Sequence, residues 1–258
     1  MLVVEDLCCG YATKEIVHQA SFTVDKGEFV CVIGANGCGK TTLFKSVLGL
    51  LESFSGTVNM DGRDVLKMDD LERSKLFAYI PQAHSSPFPF STADVVLMGR
   101  TPYMGTMSQL TDEDREIAWN ALCAMGIEHL ADFAYTELSG GQQQMILIAR
   151  AIAQQPELII MDEPTANLDF GNQQIVLSHM KDLVSGGTSV LMVTHDPLHA
   201  FICASRVIVM QKGKITGTGL PKDVMTKECL ESVYATDVDV IEVTRENDTK
   251  IMVCVPSH

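Results

Sequence analysis

The chain is built of short apolar runs separated by polar turns, and the spacing inside each run predicts an element. Phe29-Val30-Cys31-Val32-Ile33, Phe77-Ala78-Tyr79-Ile80, Leu158-Ile159-Ile160-Met161 and residues 189–193 are brief, apolar and rich in β-branched residues, which predicts strands buried inside a sheet. Residues 1–30 alternate more weakly and predict short antiparallel strands with a turn at Cys9-Gly10-Tyr11. Gly56–Gly62 reads as a strand leading into a turn. Residues 206–210 and 214–218 bracket Gln211-Lys212-Gly213 as a hairpin. Residues 238–243 and 250–255 predict two final strands around a polar turn at Glu246-Asn247-Asp248.

Helical spacing appears between these runs. Leu43 to Leu48 places its apolar residues three to four apart. Residues 92–155 read as mainly helical. Thr111-Asp112-Glu113-Asp114 offers an N-cap and an acidic first turn for a helix reaching Met125 and stopped by Gly126. Residues 143–154 predict a helix that is apolar nearly all round at Met145 to Ala149, hence buried. Another is expected over 172–184, and Asp196 with Pro197 marks the cap and first residue of a further one. Strands alternating with helices imply an α/β fold with a parallel sheet, whose ligands sit at the carboxyl ends of the strands. Residues 83–93 read as a loop, with Phe88 and Phe90 set among Pro87 and Pro89. Such a loop is either a docking surface or a segment tucked onto the core.

Composition narrows the class. At 258 residues the chain can bury a large core as one domain with an inserted subdomain. The formal net charge of −14 argues against free nucleic acid as a partner. Eight cysteines show no C-x-x-C pair, so disulfide and zinc readings lack their spacing, and reduced thiols in a cytosolic protein are expected. Glu5 and Asp6 interrupt the apolar start, against a signal peptide, and no apolar run is long enough to span a bilayer. Work at a membrane would therefore pass through a partner that spans it.

The chemistry centres on Gly34-Ala35-Asn36-Gly37-Cys38-Gly39-Lys40-Thr41-Thr42, between a predicted strand and a predicted helix. Strand, glycine loop and helix form a P-loop: backbone N–H groups approach phosphate oxygens, and the helix dipole points at the same anion. Lys40 would reach the β- and γ-phosphates, and the Thr41 hydroxyl would hold Mg²⁺. Asp162 ends an apolar strand and suits a Walker-B carboxylate holding Mg²⁺; Glu163, next to it, would polarise the attacking water. Without the P-loop the two acids would read as structural ion-pair partners. Tyr11 follows a glycine and offers a ring that can stack on a purine, although composition alone makes it an ordinary tyrosine. His18, His84, His129, His179, His199 and His258 read as ordinary surface or core residues.

Leu138-Ser139-Gly140-Gly141-Gln142, lying between the P-loop and Asp162-Glu163, resembles the LSGGQ signature of ABC-type ATPases. The resemblance extends to about residue 235. It implies an ABC-ATPase fold of P-loop NTPase type, with a RecA-like core, an antiparallel β subdomain and a helical subdomain inserted at about 85–155. Residues 236–258 would be a C-terminal β-hairpin extension. By the same resemblance Tyr11 stacks on adenine, Gln82 senses Mg²⁺ and the attacking water, Asp169 belongs to the D-loop, and His195 contacts the γ-phosphate. Ser139, Gly140, Gly141 and Gln142 would bind the γ-phosphate held by a second copy, so that two ATP molecules are sandwiched in a head-to-tail homodimer. Ala35 departs from the family's common proline, and Met145 from its common arginine.

Val95 to Tyr103, read Val-Val-Leu-Met-Gly-Arg-Thr-Pro-Tyr, resembles importer ATPases for siderophores, haem and vitamin B12. That implies permease subunits as partners, an extracytoplasmic binding protein acting indirectly, and a position on the cytoplasmic face of the cell membrane. Two rivals stand beside it. A soluble ABC ATPase acting on DNA or ribosomes would carry a long coiled coil or tandem cassettes. A nucleotide-binding scaffold without turnover would lack Glu163 or His195, and both are present.

Overall fold

The computed structural model describes residues 1–82, 89–104, 110–245 and 248–257. Expectations placed on His84, Pro87, Phe88, Glu246, Asn247 and His258 lie outside them. In chain order the elements open with β1 (Leu2–Tyr11), β2 (Lys14–Val24), β3 (Phe29–Ile33), α1 (Lys40–Val47), β4 (Ser53–Met60) and β5 (Arg63–Asp64). Then come α2 (Asp70–Leu76), β6 (Phe77–Ile80), α3 (Thr92–Leu97), α4 (Asp112–Ala124), α5 (Gly140–Ala153), β7 (Leu158–Asp162) and α6 (Phe170–Ser185). The chain closes with β8 (Ser189–Val193), α7 (Pro197–Cys203), β9 (Arg206–Gln211), β10 (Lys214–Gly219), α8 (Pro221–Val224), α9 (Lys227–Tyr234), β11 (Val238–Thr244) and β12 (Lys250–Pro256). Two compact units result: Met1–Met68 with Leu191–His258, and Asp69–Val190.

The first unit holds an antiparallel sheet in the order β2-β1-β4-β5. β1 runs through the turn expected at Cys9–Tyr11 and pairs Tyr11 with Lys14. The reversal falls one residue later, where Ala12 takes a left-handed φ of 51°. The first two strands are therefore long, at ten and eleven residues, with register shifts near Leu7. A second set of strands follows the order β10-β9-β3-β8. β3 runs parallel to β9, with Val30 opposite Arg206 and Ile33 opposite Val209. β3 and β8 are buried at every position, as central parallel strands are when both faces are covered. β9 and β10 form the hairpin expected around Lys212-Gly213. β11 and β12 pair antiparallel, Val238 opposite Pro256 and Thr244 opposite Lys250. β12 packs on α7 and β11 on α9.

In the second unit β6 and β7 are parallel, with Phe77 opposite Leu158. α3, α4 and α5 pack on one another. α4 starts at the predicted Thr111 cap, which forms a reciprocal capping box with Asp114. α5 begins at Gly140, three residues before the sequence pattern predicts. Its two leading glycines read as loop, but the Ser139 cap fixes them as helix. α6 likewise starts at Phe170, behind an Asp169 cap. α2, α8 and α9 were not marked by the apolar pattern; each is short, and two follow polar caps, Asp69 and Thr226.

Candidate nucleotide site

Each expected site residue lies where a strand ends or a helix begins. In the first unit β3 delivers the chain into the Gly34–Gly39 turn, and α1 starts at Lys40. Gly34 has no room for a side chain: a Cβ there would stand 2.3 Å from the Met210 carbonyl oxygen and 2.8 Å from Cys38 Sγ. Gly37 and Gly39 take φ of 76° and 109°, so the turn curls with its amides inward. Lys40 is 6 % exposed, and its Nζ donates to the carbonyls of Gly34 at 2.8 Å and Ala35 at 2.9 Å. The ammonium thus closes the mouth of the turn. The β9–β10 turn holds the loop from behind: Gly213 N–H donates to the Cys38 carbonyl at 2.9 Å, and His18 N–H to the Gly213 carbonyl at 2.8 Å. Asn36 and Thr41 are exposed, whereas Cys38 and Thr42 are buried. Tyr11 closes β1 with its ring exposed.

His195 is exposed two residues after β8. Its turn is braced from both sides. Thr194 N–H donates to the Val32 carbonyl at 3.3 Å, and Asp196 N–H to Thr194 Oγ1 at 3.1 Å. Asp196 caps α7 through Leu198 N–H at 2.8 Å, as the sequence predicts. His199 received an ordinary reading from sequence, yet it is buried against this turn. Its Nδ1 lies 3.4 Å from Thr194 Oγ1 and its Nε2 3.5 Å from Asp196 Oδ2. Burial pushes the imidazole pKa down against the opposing pull of Asp196, which favours the neutral ring.

In the second unit Asp162 is the last residue of β7 and is buried. Glu163 follows with a left-handed φ of 51°, uncommon for a side chain of its length. The Gln82 side-chain amide donates to Glu163 Oε2 at 2.8 Å, so the two expected water-handling residues meet. Gln144 ties the preceding Pro81 carbonyl to α5 at 3.4 Å.

Ser139 and Gln142 form a capping box at the start of α5. Ser139 Oγ accepts from Gln142 N–H at 3.3 Å, and Gln142 Oε1 accepts from Ser139 N–H at 2.9 Å. Nothing stands within 4 Å of a Cβ placed on Gly140. A Cβ on Gly141 would meet the Asn167 carbonyl at 3.1 Å, so signature and D-loop lie side by side. Asp169 is occupied as a cap, accepting from Asn172 N–H at 2.8 Å and Asn172 Nδ2 at 3.2 Å.

Within the Val95–Tyr103 stretch, Val95, Val96, Leu97, Gly99, Arg100 and Pro102 are buried, and Met98, Thr101 and Tyr103 are exposed. Gly99 permits close approach to α5: a Cβ there would stand 2.3 Å from the Arg150 carbonyl oxygen. Arg100 is buried. It donates through Nε to Asp114 Oδ1 at 2.9 Å and through Nη1 to the Ala153 carbonyl at 2.9 Å and Gln155 Oε1 at 3.0 Å. Its guanidinium lies 4.1 Å from the centroid of the Tyr103 ring.

Known proteins resemble the chain along most of its length. The family model described as ABC transporter matches residues 17–166. The haemin import ATP-binding protein HmuV of Nocardia farcinica is 36% identical over 241 residues, covering 93% of this chain and 83% of the relative. The molybdate import ATP-binding protein MolC of Haemophilus influenzae is also 36% identical, over 235 residues, covering 90% of this chain and 87% of the relative. Among solved structures, a metal-chelate type ABC transporter in an inward-facing conformation superposes with a TM-score of 0.86 at 33% identity, covering all of this chain and 97% of the other.

Proposed function

The chain belongs to the ABC transporter family as an ATP-binding subunit, and from that premise we propose that it energises import of a metal complex through a partner permease. The observation that carries the nucleotide reading is the Gly34–Thr42 turn, with its amides turned inward and Lys40 at its mouth. The relatives' names support an importer of iron–siderophore, haem or a similar chelate. The molybdate relative, at the same identity, favours metal-containing cargo as the class over iron in particular. Among the described residues no helix is long and apolar enough to cross a membrane. In this reading the chain sits on the cytoplasmic face, beneath the permease, as the family resemblance implies. An extracytoplasmic binding protein delivers the cargo.

In this reading Tyr11 stacks on adenine, while Gly34, Asn36, Gly37, Cys38, Gly39, Lys40 and Thr42 hold the phosphates. Oxygen donors suit Mg²⁺, and the Thr41 hydroxyl, the Asp162 carboxylate and the Gln82 side-chain carbonyl supply them. When bound, the ion would supply positive charge against the phosphates. Glu163 accepts the proton of the attacking water, Gln82 aligns that water, and His195 donates to the γ-phosphate. Ser139, Gly140, Gly141 and Gln142, backed by Asp169, close on the γ-phosphate carried by a second copy. Hydrolysis removes those contacts and lets the two copies part.

The test is co-purification with the permease from membranes, followed by metal analysis of the transported compound and ATP turnover in reconstituted vesicles. Metal-complex uptake that stops in Glu163→Gln supports the reading. Turnover by the isolated chain with no membrane partner recovered supports the soluble ATPase instead.

A further inference from the structure

Two helices in the second unit begin in the same way, although they belong to different motifs. α5 follows Leu138-Ser139 and α6 follows Leu168-Asp169, and in each the second residue of the pair is the N-cap. Four residues after each cap stands a glutamine, Gln143 in one and Gln173 in the other. Gln143 Nε2 donates to the carbonyls of Tyr135 at 3.0 Å and Leu138 at 3.2 Å. Gln173 Nε2 donates to the carbonyls of Thr165 at 3.2 Å and Leu168 at 3.1 Å. The positions correspond one to one: each amide reaches the carbonyl four residues before its cap and the carbonyl just before it. Both glutamines fold the incoming chain back against the first helical turn.

We propose that Gln143 and Gln173 are positioning residues that lock the signature and the D-loop in the conformation they need to meet a second copy's nucleotide. A helix N-cap accepts the N–H groups of the first turn and does not itself hold the carbonyls of the preceding chain. Leu138 N–H already donates to the Tyr135 carbonyl and Leu168 N–H to the Thr165 carbonyl, and one side-chain amide with two hydrogens reinforces each turn by tying that carbonyl to the one just before the cap. Here the signature loop and the D-loop also touch, through Gly141 and the Asn167 carbonyl. Locking both therefore fixes one composite surface rather than two separate tips. Preorganisation of this kind matters only in the step that uses the surface. The inference rests on the sandwich-dimer reading above, since it assigns these tips to the second copy's nucleotide.

The test separates nucleotide capture from closure. Gln143→Met and Gln173→Met keep length and burial but remove the donors. Each is made in the full chain, alone and in a Glu163→Gln background. The expected result is kcat reduced by about tenfold with little change in KM for ATP. Binding of a fluorescent ATP analogue should be unaltered, and the ATP-dependent dimer of the Glu163→Gln background should weaken about tenfold in sedimentation. Gln143→Lys, whose ammonium can donate to both carbonyls and has no acceptor, should recover much of the loss. Equal kcat in the Met variants would overturn the proposal, as would loss of monomer nucleotide binding in step with kcat. Should Met variants fail to fold, the Lys variant decides by itself: wild-type closure supports the lock and impaired closure refutes it. If the Glu163→Gln protein binds ATP and never dimerises, the sandwich reading fails, a result distinct from failure of the lock.

Discussion

Gln82 donates its side-chain amide to Glu163 Oε2 at 2.8 Å, bridging 81 positions of sequence within one compact unit. The bond aims a carboxylate that stands on a left-handed backbone. Substituting Glu163→Gln removes the proposed proton acceptor and keeps the shape. Turnover should fall by about a hundredfold or more while ATP binding persists. Phosphate release beside fluorescent-nucleotide titration checks both halves. Gln82→Ala, which frees the carboxylate without removing it, should cost less, about tenfold in kcat.

Gly34 makes a second prediction. A methyl group there collides with the Met210 carbonyl, a backbone atom that cannot swing aside, and with Cys38 Sγ. Gly34→Ala should destabilise the fold by about 1–3 kcal/mol. It should also abolish the rise in melting temperature that ATP confers on the native chain. Thermal unfolding with and without nucleotide measures the two effects together.

Ser139 caps α5 and, in the proposed reading, also closes on a second copy's nucleotide, and different substitutions pull the two apart. Ser139→Ala loses the cap on Gln142 N–H and should cost about 1 kcal/mol in chemical denaturation, with loss of ATP-dependent closure. Ser139→Asn keeps a good cap and should preserve stability. Its larger amide displaces the hydroxyl, so closure should still fail. A stable Ser139→Asn protein with normal turnover would mean that this serine serves the helix alone.

Asp114 supplies a pH dependence. It accepts from the Thr111 backbone N–H, from Arg100 and from the Thr111 hydroxyl, and these hold its pKa at about 2 against an ordinary 3.8. The folded state therefore prefers the ionised form. The resulting stability is fully present above pH 3.8 and drains away as pH falls through that value towards 2. Unfolding followed from pH 5 to about 2 should show this slope, and Asp114→Asn should flatten it while lowering stability at neutral pH.

Much of the fold was readable because the buried strands announce themselves. Residues 29–33, 77–80 and 189–193 are apolar at nearly every position, and parallel strands covered on both faces require that. The caps Thr111 and Asp196 were equally plain, since their side chains accept local N–H groups. Helix starts at Gly140 and Phe170 were not, because glycines near a helix end look like loop until the cap geometry is seen. The partners of a side chain stayed hidden for a simpler reason. Nothing local in His199 records that it lies beneath Thr194 and Asp196. Nothing in Gln82 records that it reaches Glu163. The twin glutamines did leave a trace, a Leu-cap pair followed at a fixed offset by Gln, visible only when the two helices are aligned on their caps.

Buried Arg100, pinned between Asp114 and the end of α5 beside Gly99, bears on how such sequences are sorted by cargo. Part of the stretch that resembles siderophore and haem systems, Gly99 and Arg100, is held by its own subunit's interior. A chimera exchanging residues 95–103 with a molybdate-transporting cousin should go on carrying whatever its permease admits.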